Sequence, residues 1–379
     1  MDETRFGPFG ERTWLDTAHQ GALPRAAREA GERSLDRKVD PHLISDDSFT
    51  EVPRRLKSGL ARLIGGRPED IVLGNSTSYG LHALAMGLPL RSGDEVLLVH
   101  GDFPATVTPW LPLRRRGVEV RMIEPWTGFL TARDVAEAIT PRTRVLCTSW
   151  VFSFTGHAVD LDAIGDLCRE RGVRLVVNGS QGVGARSLDV GDAPIDAIAS
   201  CGWKWLCGPY ATGFLWLSEE LSAEVETDHA YWLSGMAQGD LGAAVSYELR
   251  DDLGNERLDV FGTANFTAFE PWREAVETVL DVGLEHIAEH DQALVERLIG
   301  GLHGDRWELV SPREGSGRSA LVLIRPADGT PAAAAHSRLR EAGVDCALRA
   351  ESLRFSPHLY NDPGDIDRAL EALAAATGR

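Results

Sequence analysis

From about residue 70 the chain alternates short, continuously apolar runs with longer segments that carry one polar face. DIVLG (70–74), DEVLLVH (94–100), VEVRMIE (118–124), RVLCTSWV (144–151), VRLVVNG (173–179), AIAS (197–200) and TGFLWLS (212–218) predict seven strands. An Arg-rich helix is expected after the second run, and DLDAIGDLCRERG (160–172) predicts a helix with a glycine stop. Strands apolar on both faces, alternating with helices, belong to a mostly parallel sheet covered on both sides, so the predicted class is α/β. After residue 260 the pattern changes. EPWREAVETVLDVGLEHIAEHDQALVERLIGGL predicts one long helix, followed by a smaller α+β segment containing SALVLIRP, CALR and SLRFSPHLYN. The expected organisation is an N-terminal arm (1–30), a large domain (31–260) and a small C-terminal domain (261–379). In sheets of this kind ligands bind beyond the carboxyl ends of the strands.

Composition narrows the partners. A net charge of −18 argues against nucleic acid and anionic membrane surfaces, because phosphate binding needs a basic surface. No apolar run approaches the roughly 20 residues that span a bilayer, and MDETRFGPFGERTW does not read as a secretory signal. Five cysteines, 147, 168, 201, 207 and 346, show no metal spacing and read as buried thiols of a reducing cytoplasm.

The chain has only three lysines. Lys38 and Lys57 lie in charged, helix-like surroundings and read as solvated. Lys204 lies in SCGWKWLCGPYATG (200–213), between two tryptophans. Apolar walls lower a lysine's pKa and make its amine a nucleophile toward carbonyls. A snorkelling stem or a cation–π contact would account for the same residues. NSTSYGLHALAMG (75–87) places Ser76 and Thr77 at a helix start, where an anion site and an ordinary cap look alike. VVNGSQGVGARSLDV (176–190) puts Asn178 and Gln181 just beyond a strand. Its glycine order, G-x-x-G-x-G, is not the dinucleotide fingerprint. Phe103, in HGDFPATVTPW, offers a ring for stacking or for the core. Arg354, in SLRFSPHLYN, offers a carboxylate fork or a salt bridge.

Taken in order, TWLDTAHQGALP, the Ser/Thr helix start, the glycine-rich strand end, GWKWLCGPYATGFLWL, FGTANF and LRFSPHLYN resemble the class V aminotransferase family of fold-type I pyridoxal-phosphate (PLP) enzymes. Isopenicillin-N-epimerase-like proteins, kynureninases, cysteine desulfurases and C–S lyases belong to it. The resemblance implies a PLP enzyme acting at Cα of an amino acid by epimerisation, C–S or related elimination, or transamination. It also implies a homodimer with a shared active site. Lys204 would carry the cofactor as a Schiff base and then act as base and acid. Ser76 and Thr77 would hold the phosphate, helped by Cys201 or Ser200 and the Trp203 indole. Relatives usually have Ser and His at the positions of Cys201 and Trp203, so the cup is altered. Phe103 would stack on the ring, Gln181 would bond its oxygen, and Thr263 would reach the phosphate across the dimer. Arg354 would bind the substrate carboxylate, and His19 and Gln20 would line the substrate pocket.

Asn178 departs from the family pattern. Relatives carry an aspartate there, whose charge keeps the ring nitrogen protonated and the ring electron-withdrawing. Tuning of the native chemistry, loss of activity and an engineered change are three competing explanations. Persulfide transfer is not expected, because Cys346 reads as buried and Cys207 has no mobile loop. HIAEH (286–290) also fits an H-x-x-E-H zinc peptidase pattern, with His286, His290 and Glu289, as a remote alternative; a solvated helix face carrying two histidines is the favoured reading, and no third ligand is evident. No metal is expected.

Overall fold

The computed structural model describes residues 5–7, 9–226, 230–232 and 250–376. Strand β1 (Thr13–Trp14) precedes α1 (Arg25–Val39) and α2 (Ser48–Ile64). Then come β2 (Ile71–Gly74), α3 (Thr77–Gly87), β3 (Glu95–Val99), α4 (Pro104–Val107), β4 (Glu119–Ile123), α5 (Ala132–Ala138), β5 (Thr143–Ser149), α6 (Leu161–Arg171), β6 (Arg174–Asn178), β7 (Ala197–Cys201), β8 (Gly213–Leu217) and α7 (Glu219–Glu224). The remainder is α8 (Phe266–Val282), α9 (Leu284–Gly300), β9 (Trp307–Leu309), β10 (Val322–Pro326), α10 (Ala332–Glu341), β11 (Val344–Asp345), β12 (Ala347–Arg349), β13 (Ser352–Phe355) and α11 (Pro363–Ala376).

All seven apolar runs form one sheet in the order β2-β8-β7-β6-β5-β3-β4. It is parallel except for β8, which runs antiparallel to β2 and β7. Period-two alternation splits its side chains into two cores. Leu97, Val99, Leu146, Leu175, Val177 and Ile198 face one layer, while Val96, Leu98, Val145, Val176 and Ala199 face the other. These side chains are fully or almost fully removed from water, worth about 1.5–3 kcal/mol each for the larger ones. A second, antiparallel sheet, β12-β13-β10-β9, packs in its own core with α9, α10 and α11. The N-terminal arm joins the two regions, because β1 pairs in parallel with β11. Helix α8 packs on α1 and α2, and its Trp272, Val276 and Val279 enter the core of the large sheet.

Two expectations are corrected. The single long helix is two helices, broken at Gly283, whose φ of 87° lies where side-chain-bearing residues are strained. The Arg-rich segment is not an α-helix but a short 3-10 helix over Leu111–Arg116. Gly117, in the left-handed conformation at φ 79°, ends it after six residues. Among the described residues no helix is long and apolar enough to cross a membrane.

Candidate active site

The candidate residues converge where the topology directs them, at the carboxyl ends of the strands. β2 leads to Ser76 and Thr77, β3 to Asp102 and Phe103, β6 ends at Asn178, and β7 ends at Cys201, three residues before Lys204. Ser76 is the N-cap of α3, its Oγ accepting from the Tyr79 N–H at 3.1 Å. The backbone N–H groups of the first turn therefore open toward the same end of the sheet. A surface groove of about 800 Å3 opens instead at the amino ends of the strands. Within it Arg144 pairs with Asp94 and Arg174 with Asp196, and the candidate residues do not meet there.

A buried hydrogen-bond chain ties these strand ends together. The Thr77 and Ser180 hydroxyls are 2.6 Å apart. The Ser180 N–H and hydroxyl donate to Asn178 Oδ1 at 3.0 and 2.6 Å. Asn178 Nδ2 donates to Thr106 Oγ1 at 2.8 Å. Thr106 Oγ1 lies 3.1 Å from Ser149 Oγ, which donates to Asp102 Oδ1 at 2.6 Å. Thr106, Ser149, Ser180 and Asp102 were not singled out from the sequence. Asp102 precedes Phe103 in HGDFPATVTPW, but nothing in the spacing distinguishes a turn carboxylate from a buried one.

Lys204 is half-buried, and its Nζ lies 5.6 Å from the centroid of the Phe103 ring. Among the described residues Nζ has no hydrogen-bond or ion-pair partner. Burial lowers its pKa from the ordinary lysine range. Arg354 and Arg349 push the same way, opposed by Cys201 and Asp16. Behind it, the Trp205 indole N–H donates to Gln181 Oε1 at 2.8 Å, and Gln181 Nε2 donates to the Ala18 carbonyl at 3.0 Å. The arm thus touches the lysine segment. It also does so through Gly21, whose N–H donates to the Trp203 carbonyl at 2.8 Å. A Cβ on Gly21 would fall 1.9 Å from the Lys204 carbonyl oxygen. Gly21→Ala is therefore expected to destabilise the fold by about 1–3 kcal/mol as the arm is pushed away. Thermal unfolding reads this directly, and an unchanged midpoint would show that the arm shifts freely.

Arg354 lies on β13 and is 2% exposed, yet its contacts are thin for a buried guanidinium. It reaches Asp16 Oδ1 at 3.4 Å and the Ser153 carbonyl at 3.5 Å, while its Nε has no partner among the described residues. Burial lowers its pKa and raises that of Asp16. His19 is exposed beside Asp16, and the Gln20 carbonyl accepts from the Trp14 indole at 2.9 Å. The Trp203 ring packs on Tyr210, with centroids 4.7 Å apart. Thr263 Oγ1 donates to the Val260 carbonyl at 2.8 Å. Ser200 Oγ is buried without a partner among the described residues, and Cys201 is buried beside it.

His358 is a further residue not found from the sequence. It is fully buried, with Nδ1 donating to Asp291 Oδ2 at 2.9 Å and Nε2 donating to the Trp205 carbonyl at 3.0 Å. Burial alone would lower its pKa, but the Asp291 carboxylate holds it up at about 10. An imidazolium thus buttresses the lysine segment from the small sheet's side.

The reading of Lys57 as solvated is wrong. Its side chain is 7% exposed and its Nζ lies 2.9 Å from Asp259 Oδ2. Asp259 Oδ1 accepts from the Leu73 N–H at 2.7 Å, so the pair braces β2 just before the α3 cap. In the H-x-x-E-H segment, His286 and Glu289 are exposed, while His290 Nε2 is 3.0 Å from the Asn361 carbonyl oxygen. Among the described residues no group of three His, Cys, Asp or Glu side chains could hold a metal ion. All five cysteines are buried and free, and burial pushes the Cys346 thiol up.

Known proteins share this arrangement of sequence and fold. The family model described as Aminotransferase class-V matches residues 44–368. Isopenicillin N epimerase of Streptomyces clavuligerus is 29% identical over 386 residues, spanning 96% of this chain and 94% of that protein. Kynureninase of Deinococcus radiodurans is 27% identical over 385 residues, spanning 97% and 90%. Among solved structures, the cystine C-S lyase C-DES, in complex with its reaction product cysteine persulfide, superposes with a TM-score of 0.87 at 22% identity, covering 96% of this chain and 97% of that one. The last likeness is one of fold. With the family model covering most of its length, the chain belongs to the aminotransferase class-V family of pyridoxal-phosphate-dependent enzymes.

Proposed function

We propose that this enzyme labilises the Cα–H bond of an amino acid, with Lys204 as the group that carries PLP and moves the proton. The observation that carries the reading is the state of Lys204. It is an amine of lowered pKa, without a partner among the described residues, facing an aromatic ring at the carboxyl end of a mostly parallel sheet. The surrounding residues fit PLP, because several buried polar atoms there lack partners among the described residues, Ser200 Oγ and Arg354 Nε among them.

In this reading Ser76 and Thr77, at the N-terminus of α3, hold the phosphate with Ser200, Cys201 and Trp203. Phe103 covers the ring, Asn178 meets its nitrogen, and Gln181 meets its oxygen. When bound, PLP withdraws electrons from Cα and so acidifies its C–H bond. Lys204 Nζ would take that proton and return it, and the lowering of its pKa by burial favours the free amine this needs. Arg354 fixes the substrate carboxylate, and His19 and Gln20 border the side-chain space. The relatives' printed activities support epimerisation and elimination as outcomes, with transamination the third. The buried thiols argue against persulfide transfer to a protein cysteine. In this reading Thr263 reaches the phosphate of a second subunit in a homodimer. The free thiols also suit a reducing cytoplasm.

The experiment is product analysis after mixing protein, PLP and an amino-acid panel in deuterated water. Deuterium at Cα with the amine retained marks epimerisation. Loss of the amine as ammonia, with formation of a 2-oxo acid such as pyruvate, marks elimination, and pyridoxamine phosphate marks transamination. No exchange at Cα with any amino acid would overturn the proposal.

Arg354→Lys keeps the charge and loses the fork. A bidentate charged pair is worth about 1.5–3 kcal/mol, so substrate affinity should fall about one to two orders of magnitude, with PLP still bound. Titration by absorbance measures both. Unchanged affinity would move the carboxylate site to Arg349.

A further inference from the structure

We propose that Asp102 is a positioning residue: through Ser149 and Thr106 it fixes the Asn178 amide so that its free Nδ2–H points a donor at the cofactor ring nitrogen, which is held unprotonated. The inference rests on PLP being carried by Lys204.

The directions of the hydrogen bonds make the argument. Asn178 Oδ1 accepts from the Ser180 backbone N–H at 3.0 Å. A backbone N–H only donates, so this contact fixes which end of the amide is oxygen. Nδ2 then donates to Thr106 Oγ1 at 2.8 Å, and that hydroxyl must turn its own proton onward. Its neighbours are Ser149 Oγ at 3.1 Å and Asp102 Oδ1 at 3.4 Å. Asp102 is 7% exposed and receives donors on both oxygens: the Phe103 N–H and Ser149 hydroxyl, each at 2.6 Å, and the Ser149 N–H at 2.8 Å. Every proton in the relay therefore points away from Asn178 and toward Asp102. The second Nδ2 hydrogen is the one the network leaves over.

An aspartate at position 178 would present charge and retain a proton on the ring nitrogen. Here the carboxylate stands two hydroxyls away, and an N–H donor stands in its place. A donor hydrogen-bonds only the unprotonated nitrogen, so it selects that form. Burial raises the Asp102 pKa to about 6. Its titratable neighbour on β5 is Cys147, which burial keeps protonated, and Lys204 Nζ lies 5.6 Å from the centroid of the neighbouring Phe103 ring. The relay is thus intact above about pH 6 and is released as Asp102 gains its proton below it.

The test is nitrogen-15 NMR of the holoprotein reconstituted with ring-labelled PLP, together with the cofactor dissociation constant. Wild type at pH 8 should show the unprotonated ring nitrogen, and Asn178→Asp the protonated one. Thr106→Val and Asp102→Asn should each move the wild-type resonance and weaken cofactor binding roughly threefold to tenfold, as one hydrogen bond is lost. Thr106→Ser should restore both. Thr106→Val leaves the Asp102 contacts with Ser149 and Phe103 in place, so the test survives if Asp102→Asn misfolds. A protonated ring nitrogen in wild type, or a Thr106→Val resonance identical to wild type, overturns this inference alone. Cofactor bound elsewhere than Lys204 overturns the underlying assignment as well.

Discussion

Lys204→Ala is expected to eliminate both the borohydride-trappable cofactor adduct and exchange at Cα. In wild type, reduction should fix PLP to a single peptide containing Trp203 and Trp205. No other lysine is positioned to substitute: Lys57 is locked to Asp259, and Lys38 sits in the last turn of α1. The base at Cα contributes on the order of 10²–10⁴-fold to the rate. Loss of the covalent tether adds to this, so turnover should fall by at least about 10⁴-fold. Peptide mapping after reduction checks the tether, and deuterium exchange checks the base. Labelling at Lys38 or Lys57 would refute the assignment.

Lys57→Met should destabilise the protein by about 3–5 kcal/mol, because it leaves the Asp259 carboxylate buried without its cation. Denaturant unfolding at neutral pH measures this. The loss should shrink on acidification. Burial raises the pKa of Asp259 above its unfolded value, and without Lys57 the rise is larger. Between the two values the native state binds more protons than the unfolded state, so stability falls as pH rises through that window. Lys57→Met combined with Asp259→Asn removes the charge while keeping an acceptor for the Leu73 N–H, and should recover most of the loss. Equal stability of the single variant and wild type would mean that water reaches the pair.

Lys57 also shows where the sequence stops being legible. Its neighbours Arg54, Arg55 and Ser58 make its helix turn look solvated, and the partner that buries it comes from a distant loop. Asp102 and His358 escaped notice for the same reason: each is defined by a partner on another strand or helix. The seven strands were readable because a strand covered on both faces must be apolar at successive positions. Lys204 was readable because lysine is scarce in this chain and its flanks are aromatic. The break at Gly283 was missed because the residues on both sides keep a helical apolar period. Propensity along one segment cannot report a turn set by packing against α1, α2 and α11.

The lysine segment is held from three directions by pieces of chain remote in sequence: the arm at Ala18 and Gly21, the strand end at Gln181, and His358 beyond β13. The braces from the arm and from His358 do not exist until the first and last parts of the polypeptide have packed against the middle of the chain. Assembly of this centre is therefore a late event of high contact order, and slow to nucleate. A ligand that binds only the assembled form stabilises it by RT ln(1 + [L]/Kd), about 2.7 kcal/mol at a hundredfold excess over Kd. Cofactor supply thereby becomes a determinant of how much of the chain survives proteolysis after synthesis. Newly made protein should resist digestion in proportion to free PLP, and Lys204→Ala should lose much of that protection.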